Sequence, residues 1–87
     1  MARLFTIEFS YNNDVHHAII AVRQTAFHTE YKISLQSEEL SELLFSDKII
    51  SAEPGIFVFA NASVKEYNEL MKQILTAVAN HINSLHH

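Results

Sequence analysis

The chain has 87 residues, of which 48% are hydrophobic and 18% charged, with a formal net charge of −4 and no cysteine. That length fits one α+β domain over residues 1–87, since single domains cluster at ~100 to 150 residues and shorter ones still fold alone, and the composition is too apolar for intrinsic disorder. Disulfide staples, thiolate zinc sites and cysteine catalysis are excluded, and six Lys and Arg with no run among them argue against nucleic acid, where phosphate neutralisation supplies most of the affinity.

The first element spans residues 4–11. Phe5, Ile7, Phe9 and Tyr11 share one face and Thr6, Glu8 and Ser10 the other, which is strand periodicity. Asn12 and Asn13 tolerate positive φ and suit a tight hairpin turn. A second strand is expected over residues 15–23. After a turn at Gln24 and Thr25, a third strand alternates Phe27, Thr29, Tyr31, Ile33 and Leu35 with His28, Glu30, Lys32 and Ser34. If both turns are two-residue loops, Phe5 faces Ile20, Ile7 faces Ala18 and Phe9 faces His16, while Val22 faces Phe27 and Ala18 faces Tyr31. The two registers agree on one apolar face, which is the pattern of a three-stranded meander.

Ser37, Glu38 and Glu39 form a helix start, a capping hydroxyl followed by acids that suit the positive end of the helix dipole. Leu40, Leu43 and Leu44 then recur at helical spacing, giving a short helix to about residue 45. Two β-rich runs, residues 48–52 and 56–60, flank Pro54 and Gly55, a type II turn signal. The second run is apolar on both faces, Ile56 and Val58 against Phe57 and Phe59, and so reads as an interior or interface strand.

From Ser63, which opens the serine-x-x-glutamate form of a capping box with Glu66, the spacing predicts one amphipathic helix over residues 63–85. Tyr67, Leu70, Met71, Ile74, Leu75, Val78, Ile82 and Leu85 make its apolar face. The expected order is therefore βββαββα, an antiparallel sheet of about five strands with the long helix on one face. A helix of that length would reach ~35 Å, longer than a strand, so Ile82 and Leu85 are expected to overhang.

The expected register places Glu8, His17 and Lys32 in one cross-strand row, with His28 and Glu30 further along the same face. Glu8, His17, His28 and Glu30 are the candidates for metal ligation or acid-base work, which requires convergence within a few ångströms. Ordinary cross-strand pairing explains the same row without any site. His16 and His17 cannot chelate one ion together, because consecutive strand residues face opposite ways. His81 continues the helix seam and reads as a packed or interfacial residue. His86 and His87 read as either a natural terminus or a purification tag and are set aside.

A single glycine excludes glycine-rich phosphate loops. The run of residues 56–60 falls far short of the ~20 a membrane span requires, and Met1, Ala2 and Arg3 lead into no signal-peptide core, so a cytoplasmic location and no membrane partner are expected. A chain this short buries only somewhat more than ~60% of its unfolded surface, which makes dimerisation an available stabiliser. The leading expectation is a non-catalytic protein-interaction or assembly module without a cofactor, a homodimer or a subunit beside another protein. Its interface candidates are Ile56, Val58, His81, Ile82 and Leu85. The alternative is a small metal-dependent or acid-base enzyme using Glu8, His17, His28 and Glu30. A third reading is a pH-responsive binder, since protonating all six histidines would carry the formal charge from −4 to +2.

Overall fold

The structure, a computed structural model, describes residues 3–44, 46–53 and 55–84. Its order is β1 (Arg3–Tyr11), β2 (Asp14–Gln24), β3 (Thr29–Leu35), α1 (Glu38–Leu43), β4 (Lys48–Glu53), β5 (Ile56–Phe59), a 3-10 turn (Val64–Glu66) and α2 (Glu69–Ser84). The five strands form one antiparallel sheet in sequence order, which is the expected α+β arrangement.

The first hairpin forms as its sequence dictates. Asn12 and Asn13 both take positive φ, 52° and 64°, and Phe5 pairs with Ile20, Ile7 with Ala18 and Phe9 with His16. The second connection departs from expectation. Val22 pairs with Tyr31 and Ala18 with Leu35, so β3 is displaced by four residues. Thr25 is the cause. Its hydroxyl accepts from the amides of Phe27 (3.2 Å) and His28 (3.0 Å) and donates to the His28 carbonyl (2.9 Å). That closes residues 25–28 into a loop, a hydroxyl doing the work of a backbone turn. Phe27 sits in this loop, 86% exposed, and not in β3. An even displacement returns every side chain to its original face, and for that reason the apolar pattern is compatible with both registers.

α1 starts as expected, with the Ser37 hydroxyl accepting from the Leu40 amide, and buries Leu40; its expected end at residue 45 lies outside the described residues. Between β4 and β5, Gly55 takes a φ of 81°, as the third position of a type II turn requires, while Pro54 lies outside the described residues. β5 is short and outermost, so it is not an interior strand.

The expected 23-residue helix does not form as one piece. Ser63 and Glu66 bond as half a capping box: Glu66 Oε1 accepts from both the amide and the hydroxyl of Ser63, each at 3.0 Å. The hydroxyl is thereby spent on the carboxylate and takes no amide, and only a 3-10 turn results. Tyr67 then leaves the helical path, its hydroxyl oxygen accepting from the Phe59 amide at 2.8 Å and its ring lying edge-on to Phe59. Asn68 is the true cap of α2. Its Oδ1 accepts from the Met71 amide (2.9 Å), and its Nδ2 donates to the Leu43 carbonyl (2.7 Å), tying α1 to α2. Replacing Asn68 by alanine is expected to cost about 1 to 2 kcal/mol, read from a urea denaturation midpoint.

The sixteen residues of α2 span ~24 Å, close to the strand lengths. The sheet curls around this helix, which lies against both outermost strands, β1 and β5. Leu70, Met71, Ile74 and Val78 are fully buried against Ile7, Ile20, Ile49 and Phe59. Ile82 therefore does not overhang but packs at the edge of this core; Leu85 lies outside the described residues.

Candidate functional site

With α2 on the inner face, the outer face of the sheet is left to solvent. Strand alternation sends Leu4, Thr6, Glu8 and Ser10 of β1 to that face, with Val15, His17, Ile19, Ala21 and Arg23 of β2 beside them. Glu30 and Lys32 of β3, Lys48 and Ile50 of β4, and Val58 of β5 continue it. An antiparallel sheet with one wet face ordinarily reads polar on that side. Here Leu4, Val15, Ile19, Ile56 and Val58 are all exposed, so the face is partly apolar.

The candidate acid-base residues fall into two separate pairs. His17 Nε2 lies 3.5 Å from Glu8 Oε2, both well exposed, and His28 Nε2 lies 3.1 Å from Glu30 Oε1. Glu30 is paired across the ladder with Arg23, six residues along β2 from His17, which is ~20 Å at strand rise. The four-residue displacement of β3 also removes Lys32 from the Glu8 and His17 row and sets it opposite Ala21. Among the described residues no group of three or more His, Asp or Glu side chains converges as a metal site would require. His16 stacks on Phe9 at the rim of the core, and His81 stacks face to face on Phe5, ring centroids 4.1 Å apart.

Charge on this face is concentrated where the sequence shows none. Arg23, Lys32 and Lys48, nine and sixteen residues apart in the chain, surround Glu30 on three adjacent strands. The hydrogen bond from His28, followed by the nearby Lys48 and Arg23, holds the Glu30 carboxyl below the ordinary carboxylate range. The Ser63 amide and hydroxyl do the same to Glu66. A carboxyl depressed in the folded state contributes stability that is present above its unfolded pKa of ~4.3 and lost as pH falls through the folded value. Urea midpoints should therefore fall on acidification below about pH 5, and replacing Glu30 and Glu66 by glutamine should flatten that fall.

The two edges of the sheet differ. β5 has only four residues, pairs with a β4 that carries an extra residue between Ile50 and Glu53, and has its Phe59 amide taken by Tyr67. β1 has nine residues, with neither a bulge nor a proline. The two-residue turn makes Tyr11 and Asp14 a hydrogen-bonded pair, and alternation along the ladder turns the backbone amides and carbonyls of Leu4, Thr6, Glu8 and Ser10 away from β2. Among the described residues no backbone hydrogen bond reaches those groups. Strand order is what makes β1 an edge, and periodicity does not carry strand order; the tight turn at Asn12 and Asn13 was the available signal.

Comparison of the chain with family models, curated proteins and solved structures finds no match. No helix among the described residues is long and apolar enough to cross a membrane.

Proposed function

We propose that this protein is a non-catalytic, self-associating module in which β1 pairs antiparallel with β1 of a second copy, joining two five-stranded sheets into one. The observation that carries this reading is the long open β1 edge, in contrast to the short β5 edge at the other side of the sheet, which is capped at Phe59. A row of unpaired strand groups is a template for another strand, and natural sheets ordinarily blunt it with bulges, prolines, charges or a covering segment. β5 is blunted by its four-residue length and by Tyr67, which covers the Phe59 amide. β1 has only Arg3 and Glu8 as charges along its length.

A two-fold axis through Ile7 gives the register. It sets Thr6 opposite Glu8 of the second copy and Leu4 opposite Ser10 as hydrogen-bonded pairs, with Phe5 opposite Phe9 between them. All nine residues then pair and no like charges meet. A slip by two toward the hairpin would oppose Glu8 to Glu8, which is destabilising. His81 enters this seam through its stack on Phe5. Ile56 and Val58 lie on the far strand, exposed, and Leu85 lies outside the described residues. The two carboxylate-histidine pairs do not converge, so no catalytic role is proposed for Glu8, His17, His28 or Glu30.

Sedimentation velocity across micromolar concentrations tests this reading: a concentration-dependent shift from monomer to dimer is expected, and a strict monomer throughout would contradict it.

A further inference from the structure

Arg23, Lys32 and Lys48, half of the chain's six Lys and Arg, line one open cavity of about 670 Å³ on the outer face of β2, β3 and β4. That volume falls within the range of small-molecule sites, ~300 to 1,000 Å³. Lys32 is directly opposite Lys48 on the neighbouring strand, a like-charge pairing that destabilises a sheet. One carboxylate answers them. Glu30 Oε2 lies 3.9 Å from Lys48 Nζ, and its Oε1 is engaged by His28. Among the described residues neither Arg23 nor Lys32 forms an ion pair. Three cations against one carboxylate leave an excess of two positive charges, in a chain whose formal net charge is −4.

The floor of the cavity is Ala21, which contributes only a methyl group and leaves the space between the cations open. Ala21 lies in one cross-strand row with Leu4 on one side and Lys32 and Lys48 on the other, and Leu4 is 68% exposed. The row is apolar at one end and cationic at the other.

We propose that this cavity binds a phosphate monoester carried on a small apolar body. The dianionic phosphate matches the excess of two charges and separates Lys32 from Lys48. Lysine ammoniums act as compact point charges toward phosphate, and the Arg23 guanidinium supplies a planar fork of donors. The apolar body lies over Ala21 and Leu4. A polynucleotide fits less well, because Arg3, Lys65 and Lys72 are not among the residues lining this cavity and the net negative charge of the chain opposes a long polyanion. The site is built within one chain and does not depend on pairing through β1.

The test is an NMR titration of the wild-type chain with phenyl phosphate and, separately, inorganic phosphate, at constant ionic strength balanced with chloride. Saturable amide shifts at Ala21, Arg23, Lys32 and Lys48 in the millimolar range are expected, with phenyl phosphate the tighter ligand. Lys32→Gln and Lys48→Gln should each weaken binding about two- to fivefold. Both variants remove a like-charge contact and should stay folded. Shifts that grow linearly without saturating, or an affinity unchanged in both variants, would overturn the site. Equal affinity for the two ligands would overturn the apolar body.

Discussion

Replacing Thr6 by proline is expected to leave a folded monomer. The Thr6 amide points away from β2, so proline removes no hydrogen bond within the chain, and proline is tolerated on an edge strand whose amide faces outward. In the proposed dimer the same amide donates to the Glu8 carbonyl of the second copy. The two-fold repeats the loss, so one substitution removes two interchain bonds and places two rings against the facing strand. At ~0.5 to 1.5 kcal/mol net for each bond, the dimer should weaken by about 10- to 100-fold. Thr6→Glu gives an independent check, because it keeps the amide and sets a carboxylate opposite Glu8. Sedimentation should show both variants shifted to monomer, with urea midpoints near that of the wild-type monomer.

The largest loss of stability is expected from Ile74→Ala. Ile74 is fully buried at the centre of α2, among Leu70, Met71 and Val78 on the helix and the inner face of the sheet. Truncation removes its transfer free energy and leaves a cavity that a curled sheet on both sides of the helix cannot easily collapse into. The expected cost is about 2 to 5 kcal/mol. A domain of this size has only ~4 to 13 kcal/mol in total, so the urea midpoint should drop by a large fraction of its value. Ile56→Ala, at an exposed position on β5, should change stability by less than about 0.5 kcal/mol.

The strands and their faces were legible in the sequence because burial on one side imposes a period of two, and the Asn12 and Asn13 turn fixed the first register through the positive φ it demands. The second register was not legible. Thr25 closes its loop with a single hydroxyl, and a displacement of four residues leaves the face pattern unchanged. That one loop reorders the outer face, since it moves Lys32 away from Glu8 and His17 to a place opposite Ala21 and sets Arg23 opposite Glu30. The cationic cluster was hidden for the same reason: Arg23, Lys32 and Lys48 look scattered until the ladder sets them side by side.

The long helix failed at one point for a local reason. Ser63 and Glu66 carry the letters of a capping box, and the periodicity runs through Tyr67 without a break. Tyr67 is drawn instead to the Phe59 amide at the β5 edge, and Asn68 supplies a second cap. A cap signal followed shortly by another asparagine marks two candidate starts, and tertiary contacts choose between them.

Isotope-filtered NMR on a mixed sample of labelled and unlabelled chains tests the β1 pairing most directly. Pairing through β1 brings the α-protons of Phe5 and Phe9 of the two copies into intermolecular contact, as in the close, non-hydrogen-bonded pairs of an antiparallel ladder. Intermolecular contacts confined to Ile19, Ile56 or Val58 on the outer face, or none at concentrations where sedimentation shows a dimer, would contradict it.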